Sequence, residues 1–146
     1  MKKIIISVLV LACSALAGIA HAKDDHLEMS IQDAMNTTDA KDKLDGSVKF
    51  FFGDQKYPKP KQKFGTFTAN KKTNFFGKSN EDGCARAFAS AMISLQERAQ
   101  KEGGDAVVNI KSVYRKEDLV SDSKYICGAG SFMGGVALRG EVVKLP

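Results

Sequence analysis

The stretch over residues 79–114 constrains the fold more than any other part of this 146-residue chain. It places a long amphipathic segment, two glycines and a strand-like segment in direct succession. Ser79 or Asn80 can cap the start of a helix, and Gly103 suits the left-handed residue that ends one. Six apolar residues recur at three- and four-residue spacing and so share one helix face: Cys84, Phe88, Ala91, Met92, Leu95 and Ala99. The sequence predicts a long helix that buries this face and returns directly into a strand.

Five segments around this helix have the composition of strands. They cover residues 48–53, 64–73, 106–114, 124–129 and 136–145, and they are rich in aromatic and β-branched residues. We expect the first two to form an antiparallel pair joined by the Lys- and Pro-rich loop between them. In the third, we expect Ala106, Val108 and Ile110 to share one face. The order β-β-α-β-β-β predicts an α+β fold, with a single, mostly antiparallel sheet and one long helix packed on one face.

Residues 1–22 have the pattern of a secretory signal peptide. Lys2 and Lys3 precede an apolar run, and an A-x-A cleavage site ends at Ala22. The run is short for a transmembrane helix. Because V-L-A precedes Cys13 and loosely resembles a lipobox, lipid attachment at Cys13 is the alternative. We expect export to the periplasm, cleavage after Ala22, and a product without a transmembrane segment.

The chain that remains has the length of one domain. Residues 23–46 form a polar segment with cap signals for short helices at Ser30 and at Thr38, and residues 47–146 form the predicted α+β domain. Without the two signal lysines the chain has 20 basic and 17 acidic residues, a net charge of +3. This charge is too mild to imply a polyanion partner. We therefore expect no nucleic-acid partner for an exported protein of this kind.

Two cysteines, Cys84 and Cys127, remain after signal removal. A pair in an exported chain is typical of a disulfide, because the periplasm is oxidising. Cys84 shares the apolar helix face, which directs it toward the sheet and favours a bridge to Cys127 on the penultimate strand. The alternative is a reactive Cys84 at a helix N-terminus, where the dipole lowers a thiol's pKa, and such a residue would serve a thiol-dependent enzyme.

Lysines cluster in and after the Lys- and Pro-rich loop. The candidates for binding an anionic partner are Lys56, Lys59, Lys61, Lys63, Lys71 and Lys72. If strand pairing aligns them along one rim, they would meet anionic lipid headgroups, lipopolysaccharide phosphates or an acidic protein. The alternative is a solvated loop whose lysines and prolines discourage edge-to-edge strand pairing.

Residue His26 is the weak candidate for a metal ligand. If trimming produced a terminus at Asp24, a histidine in third position would chelate Cu(II) or Ni(II) through backbone nitrogens. The alternative is a flexible, solvated N-terminus, which we expect here. The cysteines lack further soft ligands at metal spacing, so we expect no metal and no cofactor.

Five glycines fall close together near the C-terminus, at positions 128, 130, 134, 135 and 140. Such residues can let a ligand approach the backbone closely. More often they mark bulges and tight bends at strand ends, which is what we expect.

Two stretches carry a resemblance to known families: L-Q-E-R-A-Q-K-E-G-G-D-A-V-V-N-I (residues 95–110) and G-G-V-A-L-R-G-E-V-V-K-L (residues 134–145). They are similar to the YbjQ-like, or heavy-metal-binding, domain and to the signalling domain of the Rcs outer-membrane lipoprotein sensor. The whole chain resembles small exported proteobacterial proteins labelled "excinuclease ATPase subunit". These resemblances imply a helix that turns into an A-V-V strand, and a last strand that closes the sheet.

The ATPase label fails against the residues. A phosphate-binding loop needs G-x-x-x-x-G-K-[ST], and Gly77-Lys78-Ser79 supplies its last three letters, but Lys72 stands where the first glycine must be. No nucleophile elbow or paired catalytic carboxylate stands out, so we expect a protein that is not an enzyme. The interpretation is a non-catalytic envelope binding or sensor module, whose partner is an envelope protein or an anionic envelope component. The sequence does not decide whether it forms a homo-oligomer. The alternatives are a metal-binding protein acting through His26 and a thiol-dependent enzyme acting through Cys84.

Overall fold

The computed structural model describes residues 24–146. The predicted signal peptide and Cys13 lie outside the described residues. Within them, six strands and three helices follow one another as β1 Asp25–Ser30, α1 Ile31–Met35, α2 Thr38–Lys43, β2 Lys49–Phe52, β3 Gln62–Asn74, α3 Asn80–Glu102, β4 Ala106–Ser112, β5 Lys124–Ala129 and β6 Met133–Lys144. The predicted α+β fold class is confirmed, since α3 packs on a sheet built from the six strands.

The predicted long helix is α3. The Asp82 N–H donates to Ser79 Oγ at 3.1 Å, which caps its start, and Gly103 ends it with a left-handed φ of 85°. All six residues of the predicted apolar stripe are buried. None of the helices in residues 24–146 is both long and apolar enough to cross a membrane.

Strand β6 is the centre of the sheet. β3 pairs with it antiparallel from end to end, while β4 and β5 share its other edge, also antiparallel. β1 extends the sheet antiparallel to β5, and β2 extends it parallel to β4. The sheet is therefore mostly antiparallel, as predicted.

The predicted antiparallel pairing of β2 with β3 is wrong. β2 runs parallel to β4, and β3 pairs with β6. β3 has 13 residues and β6 has 12, whereas β2 has four, so pairing with β6 satisfies far more of the backbone of β3. The loop between β2 and β3 therefore joins two strands that do not pair with each other. Within it, Tyr57 packs on Phe51 with ring centroids 5.6 Å apart.

The N-terminal segment joins the sheet, although the sequence indicated a flexible start. β1 pairs with β5 over six residues, with Leu27 opposite Cys127. The predicted short helices α1 and α2 follow. Ser30 caps α1 by accepting the Asp33 N–H at 3.2 Å, and both helices pack against α3. The start of the described chain is thus held by backbone pairing that its polar composition did not indicate.

The predicted single apolar face of β4 is wrong, because a bulge interrupts the strand. The pairing of β4 with β6 shifts between Val108 and Lys111, and Asn109 adopts a positive φ of 52°. Its side chain donates to Tyr57 Oη at 2.9 Å. As a result, Val107 and Ile110 face α3, while Ala106 and Val108 face the other side.

Apolar residues are buried on both faces of the sheet. The main core lies between the sheet and α3 and includes Phe52, Phe88, Met92, Leu95, Tyr125 and Leu138. On the other face, one cluster lies under the β2–β3 loop and a second lies under the loop after β4, around Tyr114 and Ile126. Burial raises the pKa of the Tyr125 hydroxyl in the main core.

A disulfide ties α3 to the sheet. Cys84 and Cys127 are bonded, their Cα atoms are 5.8 Å apart, and both side chains are fully buried. The bridge joins the first turns of α3 to the middle of β5. It therefore fixes the N-terminal end of α3, which lies nearest the start of β6, to the sheet.

The Asp105 carboxylate joins the end of α3 to the end of the chain. Oδ1 accepts the Leu145 N–H at 2.8 Å, and Oδ2 lies 3.2 Å from Lys144 Nζ. The backbone hydrogen bond from Leu145, with help from Lys144, lowers the pKa of Asp105 below its ordinary value of 3.8, although partial burial opposes the change. The ionised carboxylate thus stabilises the fold at pH values above 3.8.

We expect Asp105→Asn to lower the free energy of unfolding by roughly 0.5 kcal/mol at pH 7, since the carboxylate is one-third exposed and solvent screens its charge. A group whose folded pKa is depressed contributes stability above its unfolded pKa and loses it as the pH falls through the folded pKa. The difference between wild type and variant should therefore shrink as the pH falls below 3.8. Urea unfolding of both proteins from pH 7 to pH 2 measures it. A difference that stays constant with pH would contradict this role.

Candidate functional site

The end of the sheet where β3 stops and β6 begins carries an exposed apolar surface. Phe76 is 68% exposed, Phe132 65% and Met133 53%. The rings of Phe76 and Phe132 stack, with centroids 6.0 Å apart and an interplanar angle of 14°. We name these three residues the aromatic tip. Large apolar side chains gathered at this exposure are typical of an interaction surface, whereas single exposed apolar residues are common on any protein.

A backbone hydrogen bond and a buried ring hold the aromatic tip in place. The Phe75 N–H donates to the Phe132 carbonyl at 2.7 Å and so joins the two loops that form the tip. The Phe75 side chain turns inward and is 3% exposed. Cβ atoms at Gly83 and Gly134 would lie 2.6 and 2.3 Å from its ring, so both glycines leave the space that the ring fills. The tip is therefore anchored to both α3 and β6.

A cleft of about 250 Å³ borders the tip. Its lining is Asp24, Lys72, Tyr114, Arg115, Gly130, Met133 and Gly134, so Met133 belongs to both the cleft and the tip. The Arg115 guanidinium lies 5.6 Å from the centroid of the Tyr114 ring and forms an ion pair with Asp24. Asp24 compensates the charge of Arg115. It is the one carboxylate in the lining of this cleft, so the charge of Lys72 is not compensated by a second one there. Lys72 thus gives the cleft a net positive charge next to an apolar surface, an arrangement that suits an anionic group.

The histidine predicted as a weak metal candidate lies on β1, so the expectation of a flexible terminus is wrong. His26 is opposite Gly128, its Nδ1 lies 3.0 Å from Glu117 Oε1, and its Nε2 lies 3.5 Å from Asp24 Oδ2. Its ring meets Tyr114 in a T-shaped arrangement at 5.2 Å. Among residues 24–146, no three His, Cys, Asp or Glu side chains are arranged to hold a metal ion. Chelation of Cu(II) through backbone nitrogens would require the start of β1 to leave the sheet.

The predicted lysines lie along β3 and the loop before it, in two groups. Lys56, Lys59, Lys61 and Lys63 stand at one end, and Lys71 and Lys72 at the other. Lys63 and Lys71 are eight positions apart, which is roughly 26 Å along a strand. Lys63 also pairs with Glu141 at 3.4 Å. The six lysines do not form one continuous patch. Of the second group, Lys72 lines the cleft that borders the aromatic tip, and Lys71 precedes it on β3. Their role in binding stays a prediction.

Several glycines near the C-terminus make room for neighbouring side chains. A Cβ at Gly128 would lie 2.1 Å from the Tyr114 ring, and Gly134 gives the same room to Phe75. Gly140 serves Val107 and Ile110 in this way. Packing is thus a role of Gly128, Gly134 and Gly140 that the sequence did not indicate. Gly130 lies in the turn between β5 and β6, where its N–H donates to the Met133 carbonyl, as expected for a bend at a strand end.

We expect Gly128→Ala to destabilise the protein by about 1–3 kcal/mol, because the added methyl overlaps the Tyr114 ring and the ring must move. Ser131→Ala, at an exposed position in the neighbouring loop, should change stability by less than about 0.5 kcal/mol. Thermal and urea unfolding of the two variants measure the difference. Wild-type stability of Gly128→Ala would show that Tyr114 does not pack here.

The thiol predicted as an alternative nucleophile is engaged. The sulfur of Cys84 is bonded to Cys127 and fully buried in the main core. In this state it offers neither a thiolate nor access to a substrate. The disulfide therefore acts on the stability of the frame that carries the tip.

The aromatic tip is the part of the site that the sequence reasoning missed. Its signals are two short apolar pairs at strand ends: F-F at residues 75–76, directly after β3, and F-M at residues 132–133, where β6 begins. Each pair stands next to glycine or polar residues, where a large apolar side chain has no strand or helix periodicity to explain it. Aromatic residues without such periodicity are the sequence signal that could have indicated the tip.

Comparisons of this chain with protein-family models, with curated proteins and with solved structures found no match. The resemblances drawn from residues 95–110 and 134–145 therefore stay predictions. A function for the chain is therefore proposed from the geometry of residues 24–146.

Proposed function

We propose that the protein is a non-catalytic binding module of the bacterial cell envelope. The observation that carries this proposal is the aromatic tip, because its two stacked rings are exposed although a well-buried core lies directly beneath them. A cleft with Lys72 and Arg115 borders it. Binding residues presented by loops on a rigid scaffold are a common arrangement for recognition. The partner is an envelope component that offers apolar surface together with negative charge.

The oxidising compartment is supported by the disulfide. Buried cysteine pairs bonded across a helix and a sheet are typical of proteins outside the cytosol. The lysine start, apolar run and A-x-A pattern of residues 1–22 agree with this and favour the periplasm.

The alternatives receive less support from the geometry. A thiol-dependent enzyme would need a free and accessible Cys84 sulfur, and the bonded, buried sulfur does not serve that purpose. Metal binding through His26 would compete with the pairing of β1. We therefore retain the binding module as the single proposal.

The proposal is tested by locating the exported protein and its variants. N-terminal sequencing of the product should begin at Lys23, and part of the protein should sediment with the envelope fraction. Phe76→Ser/Phe132→Ser should release it into the soluble periplasmic fraction. Val120→Ser, at a 56% exposed apolar position in the loop after β4, is the matched control and should leave the distribution unchanged. Recovery of the uncleaved chain in the cytoplasm, or wild type that never associates with the envelope, would refute the proposal.

A further inference from the structure

We propose that the aromatic tip docks the protein onto the surface of an anionic phospholipid bilayer. In this arrangement the rings of Phe76 and Phe132 and the thioether of Met133 enter the boundary between headgroups and acyl chains. Lys71 and Lys72 contact the phosphates around them. This inference rests on the proposed function and identifies the envelope component.

The charges of the tip support an anionic surface as the partner. The two segments that build the tip, residues 71–77 and 128–135, contain two lysines and no carboxylate, and the carboxylate of Asp24 in the bordering cleft is paired with Arg115. Lys72 is exposed and stands opposite Gly135, two residues from the Asn74–Met133 pair at the end of the β3–β6 ladder. Lysine stems can lie along apolar surface while their ammonium groups reach the phosphates. Lys78 shares a different cleft with Asp82, so we assign it no part in this contact.

The size of the surface argues against a folded protein as the occupant. A stable protein interface needs about 800 Å² from each partner and 20–30 residues a side. The tip offers three exposed apolar side chains. Insertion of a few large apolar residues next to basic ones is, by contrast, sufficient for reversible binding at a membrane interface.

Charge also argues against a second copy of this chain. In a twofold-symmetric contact the same surface meets itself, so Lys71 and Lys72 of one copy would approach those of the other. Like charges brought together across an interface are unfavourable. An anionic bilayer turns the same two lysines into a favourable contribution, worth roughly a fivefold gain in affinity for each.

A vesicle-binding assay tests the docking directly. The exported protein is mixed with vesicles of phosphatidylglycerol and phosphatidylcholine, and bound protein is measured by sedimentation at low salt. We expect binding that weakens as the salt rises toward 0.5 M, because the Debye length shortens. Phe76→Ser/Phe132→Ser should lose at least about tenfold in the partition coefficient. Lys71→Gln/Lys72→Gln should lose roughly twenty-five-fold in the partition coefficient.

Matched variants separate the tip from the rest of the molecule. Lys59→Gln/Lys61→Gln removes two charges from the loop at the other end of β3 and should change binding less than about twofold. Because the sequence has no tryptophan, each tryptophan variant carries a single such fluorophore. On vesicles, the emission of Phe132→Trp should shift to the blue and be quenched by lipids brominated in the upper acyl chain. The emission of Val120→Trp should show neither the shift nor the quenching. Unchanged denaturation midpoints confirm that each variant is folded.

Three results would overturn the docking inference: no binding of wild type to anionic vesicles, binding that survives the double serine variant, or an unshifted Phe132→Trp. If any of these occurs while the wild type still sediments with the envelope fraction and the serine variant does not, the proposed function stands and its partner is a protein. If envelope association is absent as well, both fail. The two proposals are therefore distinguished by the same set of variants.

Discussion

Replacing both disulfide cysteines, as Cys84→Ala/Cys127→Ala, is expected to lower the free energy of unfolding by about 4 kcal/mol under oxidising conditions. The bond closes a loop across 43 positions, and the chain-entropy model gives this value for the unfolded-state freedom that a bridge of that length removes. Alanine is the better replacement, because both positions are fully buried and a serine hydroxyl would add a desolvation cost of its own. Urea unfolding of the exported protein and the variant measures the effect.

The control for this prediction is the wild type with its disulfide reduced. Reduced wild type and the double variant should have similar stabilities, since the two share an unconstrained unfolded state. Equal stability of the oxidised wild type and the variant would contradict the prediction. So would a mass spectrum that finds two free thiols in the native exported protein.

The parts of the fold that the sequence predicted are those set by local pattern. The stripe that includes Phe88 and Leu95 repeats over more than three turns, and Ser79 and Gly103 mark the helix ends by their own conformational preferences. β5 is predicted at its observed bounds because its composition and flanking residues are local as well. The helix face that carries Cys84 and the strand face that carries Cys127 lie in these two elements, which is why the disulfide partners could be named.

The parts that the sequence did not predict depend on contacts between distant segments. β1 has two apolar side chains, Leu27 and Met29, and becomes a strand through its pairing with β5. The partner of β3 is decided by the length of β6, which periodicity does not encode. Asn109 changes the faces of β4 through one left-handed residue. In each case the deciding interaction is one that the local periodicity of the sequence does not reveal.

The candidate binding surface at the aromatic tip also depends on contacts between distant segments. Lys71 and Lys72 were singled out as candidates, but the sequence joined them to lysines that lie roughly 26 Å away along β3. The structure places Lys72 instead in the cleft that Met133 also lines, and Phe132 and Met133 come some sixty residues later in the chain. A surface assembled from two loops becomes visible when the β3–β6 ladder is known.

Phe75→Ala is expected to lower the free energy of unfolding by about 3 kcal/mol, although the change next to it, Phe76→Ala, should lower it by less than about 0.5 kcal/mol. Phe75 is 3% exposed and fills the space between Gly83 on α3 and Gly134 on β6. Removing its ring leaves a cavity that neither glycine can fill, because neither has a side chain to move into it. Phe76 is 68% exposed and loses mainly its stacking on Phe132.

The two neighbouring substitutions serve as controls for each other, since they remove the same atoms one residue apart. Urea unfolding gives the stabilities, and vesicle sedimentation gives the binding. We expect Phe75→Ala to weaken stability far more than Phe76→Ala, and Phe76→Ala to weaken binding while the fold stays intact. Phe75→Leu should restore most of the stability, because it keeps a large apolar side chain between the two glycines. Equal destabilisation by the two alanine variants would mean that the rings do not divide into a buried anchor and an exposed tip, and the assignment of the binding surface would then lose its structural basis.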